Sequence, residues 1–271
     1  MQQDLLFIAH HYLWLIPLGF FAGAYGTVIG AGGGFVLAPV LLLVYPDEAP
    51  ETITSISLAV VFFNALSGSV AYARAGRIDY KAGVVFSLSA VPGAILGALA
   101  TASVGRERFD LLFGLLMTLI AGLLAIRPRQ RAAASVAQNQ LPNIPRLDFS
   151  KLLLGAGISC GLGFLSSFLG IGAGFIYVPA FVYLLGFPVH IATATSLFTL
   201  TIMAFTGSAT HILAGLFHHG ARRALALIIG AILGAQLGAW LSRMIHEDWI
   251  IRGLAVALGL AGIRLIVAGW P

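Results

Sequence analysis

Two glycine clusters, Gly30-Ala31-Gly32-Gly33-Gly34-Phe35 and Gly170-Ile171-Gly172-Ala173-Gly174-Phe175, are the residues of this chain best suited to holding a ligand. Consecutive glycines reach positive φ and admit close backbone approach, so they end one helix and expose the amides that begin the next. Such a helix start offers free N–H donors and a partial positive charge, which suits an anion. Close helix packing is the bland alternative, since small residues also serve that. Each cluster, however, precedes a short apolar segment, and the pair occupies equivalent places in two halves, which points to a transporter's binding site. Hydroxyls follow both: Thr52, Thr54, Ser55 and Ser57 after the first, Thr193, Thr195 and Ser196 after the second. They could cap a helix or hold a ligand's oxygens, and the pattern leaves both open.

The ionisable residues narrow the chemistry. Asp4, Asp47, Glu48, Glu51, Asp79, Glu107, Asp110, Asp148, Glu247 and Asp248 all fall at or near predicted helix ends. A buried carboxylate relay is therefore not expected, and an interior without acid is hospitable to an anion. Arg74 and Arg264 read better as side chains snorkelling to an interface than as substrate partners. Asn64, Thr199, Thr206 and Gln236 lie within apolar segments, where single polar residues usually bond a neighbouring helix. His211 could carry a proton, with helix packing as the plainer reading. His218 and His219 beside Arg222 and Arg223 make a poor metal site without nearby Cys, Asp or Glu. Cys160 has no evident base within reach. No catalytic, metal or cofactor site is expected, and the chain does not read as an enzyme.

What must position these residues is a membrane. Of 271 residues 59% are hydrophobic and 9% charged, more apolar side chain than a soluble fold can hide. Several apolar blocks reach the roughly 20 residues that cross a bilayer. The net charge of +5 sits in loops, as orientation in a membrane requires, and does not imply nucleic acid. The first stretch, Leu5 to Phe21, lacks a basic leader region and reads as a retained helix.

The chain is also a repeat. Gly30–Phe35 and Pro39 recur as Gly170–Phe175 and Pro179, Ser57-Leu58 and Gly68-Ser69 recur as Ser196-Leu197 and Gly207-Ser208, and Gly-Ala-Ile-Leu-Gly-Ala stands at 93–98 and 230–235. The expected organisation is a first membrane repeat over 1–126, a basic cytoplasmic linker over 127–150 with Arg127, Arg129, Arg131 and Arg146, and a second repeat over 151–271. Expected segments are 5–30, 35–45, 52–75, 82–102 and 109–126, then 151–170, 175–186, 190–214, 221–242 and 249–269. The fold class is all-α and polytopic, with each repeat holding a Gly-rich break and a half-helix too short to span. If the first two segments of a half form a hairpin, the repeats are inverted; if they form one broken crossing, they are parallel. Lys and Arg counts, about 10 inside and 5 outside against about 11 and 4, do not discriminate. Segment 5–30 is long enough to span alone, which favours inversion.

Together these stretches resemble the sulfite exporter TauE/SafE family. The resemblance rests on Gly26-Thr-Val-Ile-Gly30-Ala-Gly-Gly-Gly-Phe-Val-Leu-Ala-Pro39, Phe168-Leu-Gly170-Ile-Gly-Ala-Gly-Phe-Ile-Tyr-Val-Pro179, Ala192-Thr193-Ala-Thr195-Ser196, Gly76 and the duplicated hexapeptide. It covers nearly the whole chain outside the linker. It implies a multi-pass protein of the bacterial plasma (inner) membrane that moves sulfite, sulfoacetate or another sulfur-containing organic anion. The expected substrate contacts are Gly30, Gly32, Gly33, Gly34, Phe35, Ser55, Ser57, Gly170, Gly172, Ala173, Gly174, Phe175, Thr193, Thr195 and Ser196. Expected partners are the small anion and the lipid bilayer, not nucleic acid, and a homodimer is compatible with the sequence. The alternatives are a membrane-embedded sulfur-handling or metal-dependent enzyme, or a non-transporting assembly subunit.

Overall fold

The computed structural model describes residues 12–126, 149–216, 220–242, 256, 259–267 and 269. The expected linker's arginines, His218, His219, Asp4, Asp148, Glu247, Asp248 and the start of segment 249–269 lie outside the described residues. The protein is an all-α polytopic membrane protein. Its helices are α1 (Leu15–Ile29), α2 (Gly34–Val44), α3 (Pro50–Arg74), α4 (Tyr80–Thr101), α5 (Arg106–Ile126), α6 (Phe149–Leu169), α7 (Gly174–Tyr183), α8 (Val189–Leu213) and α9 (Ala221–Leu241). Residues 259–267 are also helical. Among the described residues, α3, α4, α8 and α9 are long and apolar enough to cross a bilayer.

Local chemistry sets these boundaries. Pro50 opens α3, with Glu51 in its first turn, where a missing N–H costs nothing and a negative charge meets the positive helix end. Asp79 caps α4 by accepting from the Ala82 amide at 3.1 Å. Leu88, Leu96, Leu115, Leu119, Leu225 and Leu233 are exposed, a costly arrangement in water but the natural one against lipid.

The expected segment 5–30 begins outside the described residues and ends where expected, at Gly30. Over the described residues α1 covers 15 residues, about 22 Å at about 1.5 Å per residue, and the chain then reverses. Gly30 takes φ 82° and ends the helix, while the amides of Ala31 and Gly32 fold back on the Gly26 carbonyl at 2.7 and 3.2 Å. α2 and α7 contain 11 and 10 residues, about 15–17 Å each, half the bilayer core.

Contacts fix the helix directions. Asn64 of α3 meets Gly23 of α1, and Tyr72 meets Thr27, so these two helices run the same way. The end of α2 returns to the start of α3, where Arg106 reaches the Leu42, Tyr45 and Glu48 carbonyls. α1 and α2 thus form a re-entrant hairpin. α3 and α8 run antiparallel, pairing Phe62 with Phe205 and Ser69 with Thr201. α6 and α7 form a second hairpin, which opens at the end where the Asp79 amide meets Thr195 near the start of α8.

Two helix pairs frame the molecule. α1 packs along α9, and α4 along α6. A Cβ at Gly230 or Gly234 would strike the Ile16 or Phe20 carbonyl; one at Gly93 or Gly97 would strike that of Cys160 or Phe164. Both pairs are parallel, and their contacts step four residues at a time. The duplicated Gly-Ala-Ile-Leu-Gly-Ala is therefore a packing face on which backbones nearly touch.

Candidate functional site

At the centre the two hairpin tips meet. Gly30, Gly32 and Gly33 take φ of 82°, 75° and 76°, and Gly170 and Gly172 take 69° and 68°. In the first tip, Gly33 precedes α2 and its carbonyl accepts from Val36 and Leu37 at 3.1 Å. The amides of Gly34 and Phe35 lie ahead of the first helical bond, as do those of Gly174 and Phe175 in the second tip. The tips differ in sequence at two positions, Ala31 against Ile171 and Gly33 against Ala173, and the second changes the backbone. Ala173, in the place of Gly33, has φ −74°, and its amide donates to Ser166 Oγ at 3.2 Å.

The two helix starts point into the same buried place. A Cβ at Gly34 would lie 2.6 Å from the Ile171 carbonyl oxygen, and one at Gly174 would strike Gly30 and Ala31. The Phe35 and Phe175 rings sit side by side with centroids 6.1 Å apart. Val61 and Leu200 flank Gly32 and Gly172 from either side. Every residue from Gly30 to Phe35 and from Gly170 to Phe175 is buried, so this is a closed arrangement. Each helix start carries about half a positive charge, and among the described residues the side chains bonded to the tip backbone are Ser57, Ser166 and Ser196, all uncharged.

Each tip is held by the other half. Ser196 Oγ donates to the Gly30 carbonyl at 2.9 Å, and Ser57 Oγ donates to the Gly170 carbonyl at 2.5 Å. Thr193 packs on Gly30 and Thr54 on Gly170. The structure therefore gathers the expected glycines, both phenylalanines, Ser57, Thr193 and Ser196. Ser55 instead bonds its own helix, donating to the Glu51 carbonyl at 2.5 Å. Thr195 Oγ1 faces the α3–α4 turn and accepts from the Asp79 amide at 3.1 Å.

Arg74 ends α3 exposed, and Arg264 is exposed as well. The cation that matters structurally is Arg106, which the sequence reading passed over. Besides the three carbonyls at the foot of the first hairpin, it holds Asp110 at 2.7 Å. Asp110 is only 5% exposed although it sits near the start of α5. An Arg and an Asp four apart at a helix start was the available signal. Asn64 bonds Gly23 and Ala231 carbonyls at 3.0 and 3.2 Å, tying α3 to α1 and α9. Among the described residues no three His, Cys, Asp or Glu side chains form a group able to hold a metal.

Re-entrant hairpins meeting between long apolar helices define a polytopic membrane transporter, since irregular backbone is tolerated at membrane depth only inside protein or along a solute path. The chain belongs to the sulfite exporter TauE/SafE family, whose model matches residues 15–265. It is a transporter and not an enzyme, and the family's description gives a small anion as the cargo. It is 32% identical over 267 residues to the probable membrane transporter protein YunE of Bacillus subtilis, covering 94% of this chain and 97% of that one. A probable membrane transporter protein of Xylella fastidiosa is 31% identical, over 79% of this chain and 78% of its own length. One from Methanocaldococcus jannaschii is 25% identical, over 94% of this chain and 97% of its own. No solved structure gives a significant match.

Proposed function

We propose that the chain carries sulfite or a sulfur-containing organic anion across a bacterial plasma membrane, with the substrate held where the two hairpin tips meet. The observation that carries this reading is the convergence of two helix starts on one buried point, where a Cβ at Gly34 would lie 2.6 Å from the Ile171 carbonyl oxygen and one at Gly174 would strike Gly30 and Ala31. Two half-charges of the same sign repel in a medium of low dielectric, and an anion between them turns that repulsion into attraction. The amides of Gly34, Phe35, Gly174 and Phe175 donate to the anion's oxygens. Ser57, Ser196, Thr193 and Thr54 line the approach. Ser55 and Thr195 serve the scaffold. The antiparallel course of α3 and α8 and the opposite openings of the hairpins support two inverted repeats, 1–126 and 151–271, joined by a cytoplasmic linker over 127–150. Access alternates when one half rocks against the other, opening the tips to each side in turn.

The test is flux in liposomes loaded with purified protein. Sulfite and sulfoacetate should move faster than across protein-free vesicles, and Gly172→Leu should abolish the difference. If folded wild-type protein moves no anion, the proposal fails. A membrane enzyme would then show turnover of a sulfur compound without flux.

A further inference from the structure

Gln236 of α9 is exposed on a surface otherwise built from large apolar side chains. Leu233 and Trp240 of the same helix are 58% and 56% exposed, and Phe63, Leu66 and Val70 continue that surface on α3. The helix ends give its depth. α9 closes at Leu241, which at about 1.5 Å per residue puts Gln236 about 7 Å inside the end of the span. Trp240, one turn nearer that end, has the place of a ring at the boundary between lipid and water. The carboxamide therefore faces hydrocarbon.

It is also held there. Gln236 Nε2 donates to the Ser67 carbonyl at 2.9 Å and to Ser67 Oγ at 2.8 Å, while Ser67 Oγ donates to the Ile232 carbonyl at 3.1 Å. These bonds keep the side chain from turning back toward water. Among the described residues no group donates to Gln236 Oε1. An amide oxygen open to hydrocarbon is costly, because lipid tails offer no donor.

Joining α3 to α9 does not account for the glutamine. α4 packs on α8 much as α9 packs on α3, and this second pair shows what the same joint looks like against lipid. There Thr206 corresponds to Ser67 at the offset that relates Ser57 to Ser196, and Leu99 corresponds to Gln236 at the offset that relates the two hexapeptides. Thr206 donates to the Ile202 carbonyl of its own helix at 2.9 Å, and Leu99 is 48% exposed. A leucine at this position suffices for packing and leaves nothing unbonded.

We infer that the α3–α9 face around Gln236 binds a second copy of this chain. A two-fold axis at this face sets Gln236 of one protomer against the partner's Gln236. A carboxamide both donates and accepts, so the contact is complementary to itself and needs no other protein. Ser67 presents two oxygens to one nitrogen, and giving up either contact frees an N–H for the partner's Oε1. Two such bonds, one in each direction, leave both carboxamides fully bonded. At the strength found between membrane helices, the two together amount to about tenfold in Kd. The inference goes beyond transport and does not depend on the cargo.

The experiment follows energy transfer between full-length copies fused to donor and acceptor fluorescent proteins, in liposomes over a range of protein-to-lipid ratios. Wild-type protein should form dimers. Gln236→Leu, which copies the arrangement at Leu99, should fold and raise the Kd about tenfold. In a Cys160→Ala background, Gln236→Cys should give a disulfide-linked dimer on mild oxidation, and Leu99→Cys should not. Wild-type protein that stays monomeric at every ratio overturns the inference, and that measurement needs no variant. So does a Gln236→Leu Kd equal to wild type, or a crosslink at Leu99→Cys in place of Gln236→Cys.

Discussion

Gly33→Ala is the smallest change that tests whether the break geometry matters. Gly33 has φ 76°, a conformation that costs an L-residue roughly 1–2 kcal/mol. The new Cβ would also lie 2.6 Å from the Ala22 carbonyl oxygen. That atom belongs to the backbone of α1 and cannot rotate away, so α2 must shift or the tip must reshape. A total of about 2–5 kcal/mol follows, which for a domain of this size lowers Tm by about 4–20 °C. The other tip supplies the control. Ala173 has φ −74° and is buried, so Ala173→Gly loses backbone entropy and one buried methyl without any steric clash, about 1–2 kcal/mol. Thermal unfolding in detergent, followed by intrinsic fluorescence, gives both numbers, and anion flux gives the functional consequence. A Gly33→Ala protein with wild-type Tm and flux would refute the reasoning, because it would mean that a left-handed residue is not required before α2.

Three further outcomes are expected. Arg106→Ala leaves Asp110 buried without its cation and the foot of the first hairpin without its donor; the loss should be about 3 kcal/mol, the low end of the range because Arg106 is 22% exposed. Arg106→Lys should recover less than half of it in the same thermal assay. Ser57→Ala and Ser196→Ala should each cost about 1 kcal/mol. Because the two tips touch, the double variant should be coupled and depart from the simple sum, and a double no worse than either single would contradict the reciprocal clasp. Gly234→Leu should prevent recovery of monodisperse protein, since its Cβ would strike the Phe20 carbonyl, whereas Gly122→Leu, with nothing within 4 Å, should be tolerated.

Much of this architecture was legible from composition and order. The segments expected at 35–45, 52–75, 82–102, 109–126, 151–170, 175–186, 190–214 and 221–242 appear as helices with ends shifted by only a few residues. The break at Gly30 was legible from its glycines, but whether the chain reverses there or continues across was not, because hydropathy carries no direction. The roles within the hydroxyl runs were equally hidden. Ser55 and Ser57 are two residues apart, so they occupy different faces of α3: one bonds back to Glu51, the other crosses to Gly170. Thr195 and Ser196 are neighbours, yet one faces the α3–α4 turn and the other holds Gly30. Which face meets which partner is set by helix rotation in the assembled protein, and residue type alone does not encode it. Arg106 was missed for a related reason, since its targets are backbone carbonyls about 60 positions away.

The exchange of partners between the halves also bears on how the protein is made. The most extensive partner of α1 is α9, a helix of the other half. At about 5–20 residues per second, the ribosome needs on the order of 10–40 s after completing α1 to deliver its mate. During that interval the glycine face of α1 has no neighbour to match it, and the hairpin tip has no Ser196 to clasp its Gly30 carbonyl. The first half must therefore enter the bilayer unfinished and be completed by the second. Separately expressed halves should accordingly survive only when they are made together in one membrane.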